Sequence, residues 1–407
     1  MPYSGGVGLA VFGMKSMGLV LATGLFVGGV VAMSGCAEES SVSDLPAIHE
    51  LPDPFRMNDG GRVDTKEDWP RRRDEIRELL LQYQYGRIPP AGDAVTLDFE
   101  GPAEVRNDGK TSFRELRLKM GPESRITMTL HVCLPRERPG PFPTILRVGL
   151  GCPIVGEVNE RGYAFAAFEH RDLDPETEGH DVAGPAQAAY PGYDWGSIAV
   201  WAWGASRALD YLLTCPWANR DQIVVTGHSR TGKAALLAGA LDERFAMVAP
   251  NGSGCGGASC YRIAADGAET LEMITRKTRF ASWFQKDFGR FGGHEERLPF
   301  DQHFVKALVA PRMLLTTDAL DDKWANPLGN QAAYLAVQPV YGFLGAGQNN
   351  AMHFREGQHD QLAEDFRAIL DFADHYFAGK PLTRSRCVLP FPDYHLNCSW
   401  IARDAGK

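Results

Sequence analysis

The sequence predicts an α/β fold, a mostly parallel central sheet with helices on both faces. Three observations lead there. From about residue 140 onward, apolar strand-like runs alternate with helix-like ones, an order that favours parallel strands joined by crossover helices. A Ser flanked by glycines sits between a short apolar run and an alanine-rich stretch, in Thr226-Gly227-His228-Ser229-Arg230-Thr231-Gly232. The 44 glycines and 26 prolines among 407 residues suit the many short loops of such a fold. Hydrophobic and charged shares of 44% and 23% are those of a globular protein. A net charge of −9 argues against a nucleic-acid partner, which calls for a basic face.

Taken in order, the first 35 residues differ from the rest. Met14-Lys15 opens a sixteen-residue apolar and small-residue run, Gly18 to Met33, followed by Ser34-Gly35-Cys36. That run is short for a membrane span and fits a secretory signal. A small pair before a Cys resembles a bacterial lipoprotein cleavage site, with Met33 standing where Leu is usual. The expectation is a signal over residues 1–35, lipidation at Cys36, and export to the periplasm or outer membrane, with the lipid as the sole membrane contact. A polar tether is expected over 36–55 and a single catalytic domain over 56–400. Seven further cysteines form no metal-ligand spacing, and no metal or cofactor is expected. The closest pairs are Cys255 with Cys260 and Cys387 with Cys398, but spacing alone does not fix pairing.

Residues 69–85 carry Ile76, Leu79, Leu80 and Tyr83 at helical spacing. Gly86 and Pro89-Pro90 end that helix. Segments 95–105, 112–120 and 125–134 alternate apolar and polar residues and predict antiparallel strands at an edge of the main sheet. Strands are expected at 144–150, 163–168, 223–226, 245–250 and 312–317. Helices are expected at 195–213, 232–240 and 361–377. Tyr341 to Gly345 reads as strand-like.

The Ser229 corner matches a nucleophile elbow, although its second glycine lies three residues after the Ser rather than two. Ser229 is either a nucleophile at the sheet edge, with the Arg230 N–H poised for an oxyanion, or a helix N-cap. A nucleophilic Ser needs a base and an orienting acid. In this fold the acid follows a later strand and the His comes last. Asp318, Asp321 and Asp322 lie just past the strand at 312–317, and His359 lies in a polar, Gly-flanked loop. His228 is disfavoured because adjacent residues on a tight turn point apart. His131, His303 and His353 read as structural.

The segment Gly227-His228-Ser229-Arg230-Thr231-Gly232-Lys233 resembles the nucleophile motif of carbohydrate esterase family 15, the glucuronoyl esterases. Residues 195–212, 253–262, 298–312, 321–327 and 355–360 resemble family segments in the same order, and so does 51–76. The resemblance spans roughly residues 50–378. It implies an α/β-hydrolase, a three-layer αβα sandwich, that cleaves 4-O-methyl-glucuronoyl esters joining glucuronoxylan to lignin in plant walls; separately, a monomer is expected. By motif position it implies Ser229 as nucleophile, His359 as base and Arg230 at the oxyanion. It also implies Lys233 on uronate hydroxyls, Trp324 against the sugar and Glu272 as a sugar-binding glutamate. Many members carry the acid as Glu where this chain has Gly252. Asp322, directly before Lys323-Trp324, is therefore the favoured acid and Asp321 the alternative. The other readings are a carbohydrate acetyl esterase or broad carboxylesterase on the same triad, and a polysaccharide-binding lipoprotein without catalysis.

Overall fold

The computed structural model describes residues 42–92, 94–176, 183–276 and 280–401. The expected signal over 1–35, the lipidation site Cys36 and the first part of the tether lie outside the described residues. Among the described residues ten strands form one sheet: β1 (Thr96–Glu100), β2 (Glu104–Arg106), β3 (Thr111–Met120), β4 (Ile126–Pro135), β5 (Phe142–Val148), β6 (Ala164–Phe168), β7 (Ala218–His228), β8 (Met247–Asn251), β9 (Met313–Ala319) and β10 (Asn350–Arg355). The described helices are α1 (Trp69–Leu80), α2 (Val155–Glu160), α3 (Pro185–Ala189), α4 (Ser197–Leu212), α5 (Arg230–Leu241), α6 (Leu271–Ile274), α7 (His303–Val309), α8 (Pro327–Phe343) and α9 (Ala363–Ala378).

Strand order is β1-β3-β4-β6-β5-β7-β8-β9-β10, with β2 paired to β3. The pairs among β5 to β10 are parallel, and those joining β1 to β4 and β4 to β6 are antiparallel. The early strands are therefore an antiparallel edge of one sheet. Residue chemistry follows that division. β3 alternates, burying Phe113, Leu116, Leu118 and Met120 while Arg114 and Arg117 face water. β8 and β9 are buried along their whole length, as strands covered on both faces must be. α5 and the long α4 pack together, burying nearly every alanine they carry.

Three expectations change. The 95–105 strand is two strands, broken at Gly101-Pro102. Tyr341 to Phe343 is the last turn of α8 rather than a strand, and β10 lies beyond it. The 36–55 tether does not extend to its predicted end. Leu51 and Phe55 are buried, the Ile48 N–H donates to Glu296 O, and Pro52 O accepts from His303 Nε2 at 2.8 Å. Two large apolar side chains are each worth about 1.5–3 kcal/mol when buried, which favours docking over a free tether. The folded body thus begins before residue 56.

The site follows from the parallel half of the sheet. β7, β8, β9 and β10 are consecutive neighbours, and their C-terminal ends lead directly into Ser229, Gly252, Asp322 and His359.

Candidate active site

The chain leaves β7 and enters α5 through a single residue, Ser229, held at φ 57°, ψ −125°. This backbone is strained for a non-glycine residue, the kind of outlier found where a side chain must be presented. The corner is closed tightly. A Cβ on Gly227 would stand 2.2 Å from Thr231 O, and one on Gly232 would stand 2.7 Å from Asn251 O. Both glycines are thus required by close backbone approach, and the wider spacing of the second still serves the turn.

Ser229 Oγ does not cap α5. It lies 2.9 Å from His359 Nε2, while His359 Nδ1 lies 2.5 Å from Asp322 Oδ2. Asp322 is almost wholly buried, and its Oδ1 accepts from the Ala325 N–H at 3.2 Å. The His359 pKa is raised above the ordinary imidazole value, first by the Asp322 hydrogen bond and against the opposing effect of burial. Asp321 turns away, accepting from the Gly357 N–H at 3.2 Å. Asp318 is sealed inside β9, where Asn330 Nδ2 donates to it, and burial raises its pKa to about 7. Of the three aspartates, only Asp322 hydrogen-bonds His359.

Gly252 makes room for this arrangement. Its φ of +48° favours glycine, and a Cβ there would stand 3.2 Å from His228 Cε1 and 3.7 Å from Asp322 Oδ2. An acid at position 252 would enter the space that Asp322 uses. His228 packs beside the base, ring centroids 4.6 Å apart, and its Nδ1 donates to Asn251 Oδ1 at 2.6 Å. Asn251 Nδ2 donates to Thr317 Oγ1, which fixes the amide orientation and hence the His228 tautomer. Burial lowers the His228 pKa to about 4, so its ring is neutral near pH 7.

A cavity of about 260 Å³ opens beside Ser229, walled by Lys233, Glu269, Phe280, Trp283 and Trp324. Two predicted roles are corrected here. Glu272 lies outside the cavity, its side chain 64% exposed and paired with Arg276. α6 buries Leu271 and Ile274, which turns Glu272 outward. The carboxylate in the wall is Glu269, 3% exposed, and burial raises its pKa against the pull of Lys233. Nothing in the spacing marks Glu269 in advance; its role depends on meeting Lys233 across the fold. Lys233, expected on sugar hydroxyls, already donates to Ser253 O, Cys255 O and Glu269 Oε2, at 2.8, 2.5 and 2.9 Å. An ammonium has three donors, so none is left for a ligand. Lys233 holds Glu269 in place, and Glu269 is the acceptor facing the cavity.

Trp324, expected against the sugar, lines the cavity. Arg230 borders it too, but its guanidinium is gripped by both oxygens of Glu176 at 2.5 Å and stands 5.5 Å over Trp283. Trp283 Nε1 donates to the same carboxylate at 2.7 Å. Glu176 is a second site residue that sequence reasoning missed. The Arg230 backbone N–H, at the first position of α5, has no acceptor within its helix. Among the described residues no group of three His, Cys, Asp or Glu side chains is placed to hold a metal. Cys133, Cys152, Cys215, Cys255, Cys260, Cys387 and Cys398 are free thiols.

The sequence model of the family described as "Glucuronyl esterase, fungi" matches residues 120–345. A 4-O-methyl-glucuronoyl methylesterase of Phanerochaete carnosa is 31% identical over 348 residues, spanning 81% of this chain and 82% of the relative. The solved structure of a CE15 glucuronoyl esterase from Caldicellulosiruptor kristjansonii superposes with a TM-score of 0.73 at 30% identity, covering 88% of this chain and 98% of that one. A CE15 esterase from a marine bacterial metagenome, described as promiscuous, superposes at 0.71 with 29% identity, covering 83% of this chain and 99% of that one.

Proposed function

The chain belongs to carbohydrate esterase family 15, the glucuronoyl esterases, and from that premise we propose that it hydrolyses 4-O-methyl-glucuronoyl esters of glucuronoxylan through Ser229, His359 and Asp322. It is a carboxylic ester hydrolase of the α/β-hydrolase fold. The observation that carries the residue assignment is the unbroken line from Ser229 Oγ through His359 to Asp322, beside a cavity with aromatic walls and one buried acceptor.

In this reading His359 Nε2 takes the Ser229 proton as Oγ attacks the ester carbonyl, and Asp322 stabilises the imidazolium that forms. The oxyanion is met by the Arg230 N–H, a donor of the kind worth about 10²–10³ in rate. The guanidinium beside it is neutralised by Glu176, so the backbone donor carries the stabilisation. Collapse of the tetrahedral intermediate expels the alcohol, which takes the proton from His359. Water then gives its proton to His359, attacks the acyl-enzyme and releases the uronic acid and free Ser229. Glu269 accepts hydrogen bonds from sugar hydroxyls, and Trp324 supplies an apolar face.

Ser229→Ala tests the assignment. The variant is expected to keep its unfolding midpoint and lose benzyl glucuronate hydrolysis by several orders of magnitude; wild-type-like turnover would remove Ser229 from the mechanism. A second reading, broad carboxylesterase activity on the same triad, draws on the likeness to the promiscuous marine esterase.

A further inference from the structure

Ser229, Arg230 and His359 also border a second cavity, of about 460 Å³, whose other walls share nothing with the first. Its chemistry is different. The first is walled by Phe280, Trp283 and Trp324, whereas no Phe, Tyr or Trp lines the second. Three arginines line it, Arg147, Arg171 and Arg230; Glu176 cancels the last, which leaves two cations against one lining carboxylate, Glu169. A wall so biased raises the local potential for anions even in a chain of net charge −9.

Two of the arginines are already engaged. Arg147 donates to Gln361 Oε1 at 3.1 Å and to Gly149 O at 3.0 Å, and Arg230 is held by Glu176. Arg171 is not. Its backbone N–H donates to Glu169 Oε1, but its exposed side chain makes no hydrogen bond or ion pair among the described residues.

His170 gives an independent sign of a ligand. It is 9% exposed, its ring stands edge-on to Trp201 at 4.7 Å, and neither ring nitrogen has a hydrogen-bond partner among the described residues. Glu169 Oε1 comes within 3.3 Å of Nδ1 without the alignment of a hydrogen bond. A buried polar group left in that state is costly unless something occupies the space it faces.

The two halves of an ester lie on either side of its reacting carbonyl. If the uronate fills the Glu269 cavity, the alcohol extends from Ser229 toward the other wall. It must also stay within reach of His359 Nε2, which returns its proton. We propose that the second cavity receives the alcohol half of the ester and favours alcohols that carry an acidic group, with Arg171 pairing the acid and His170 supplying a hydrogen bond. The proposal rests on the glucuronoyl esterase reading and names the leaving group for it. A plain aryl alcohol finds no ring to stack on there.

The test uses glucuronate esters of three alcohols of similar size: benzyl, 4-carboxybenzyl and 4-(aminomethyl)benzyl. Wild-type kcat/KM is expected to rank anionic above neutral above cationic, with adjacent members separated by about fivefold at low ionic strength. The spread should shrink as salt is added. Arg171→Glu is expected to reverse the order. Turnover of all three with one common kcat/KM, or an order unmoved by Arg171→Glu, would overturn this proposal and leave the esterase reading standing. No turnover of any of them would overturn both.

Discussion

At Asp322 the carboxylate reaches His359 Nδ1, while the neighbouring Asp321 reaches only the Gly357 N–H at the protein surface. In the proposed mechanism the first contact orients the base and stabilises its protonated form, whereas the second only joins two loops. Asp322→Ala is therefore expected to lower kcat by about 10⁴-fold, as loss of a triad acid does. Asp321→Ala should stay within about tenfold of wild type by the same comparison. The opposite ranking in steady-state assays would move the acid. The pH profile carries the same signature. Protonated His359 cannot accept from Ser229, so activity falls as pH drops through its pKa. Because the Asp322 hydrogen bond raises that pKa, the acid limb of kcat/KM should lie above 6.5. At this scale much was legible in the chain. The order in which this fold delivers nucleophile, acid and base singles out Ser229 and His359 as candidates, but leaves Asp318, Asp321 and Asp322 open until the family resemblance favours Asp322. Glu269 and Glu176 were not legible, because each becomes a site residue only through a partner distant in sequence, Lys233 and Arg230.

Between β10 and α9 runs the loop that carries His359, and one side chain organises it. Arg355 ends β10 and is 4% exposed. It donates to Asp365 Oδ2 at 2.9 Å, to Glu356 O at 2.9 Å and to Asp360 O at 2.5 Å, spanning the loop on both sides of His359. Asp365 in turn accepts from the Leu362 N–H at the start of α9. Arg355→Ala leaves the buried Asp365 charge without its partner, a loss of about 3–5 kcal/mol in unfolding free energy. It should also lower kcat by freeing the base. Arg355→Lys should restore little of either, because one ammonium cannot reproduce the guanidinium fork. Urea unfolding and steady-state kinetics on both variants check this, and an unchanged midpoint in Arg355→Ala would contradict it. The elements themselves were legible where periodicity was strong, as in α1, α4 and β3. α8 and β10 were not. Pro339 sits inside α8 and glycines punctuate its end, so its apolar close reads equally as a short strand.

Across the whole molecule, the sheet order brings four strand ends side by side and leaves two cavities meeting at Ser229. The alternation of strand and helix announced the parallel half, and the three alternating segments before it announced the antiparallel edge. The docking of Leu51 and Phe55, and the stacking of Trp400 on His303, could not be read ahead, because isolated apolar residues in polar stretches carry no period. What the assembled site predicts is selectivity: a sugar-sized cavity with a buried acceptor and tryptophan walls gives a glucuronoyl group contacts that an acetyl group cannot make. The most direct test is kcat/KM for benzyl glucuronate beside that for 4-nitrophenyl acetate and acetylated xylan, measured on one preparation. We expect the glucuronate ester to exceed both acetyl substrates by at least about 10²-fold, the size of a few lost hydrogen bonds and one lost stacking contact. Equal rates, or a preference for acetate, would contradict the account and identify a general carboxylesterase.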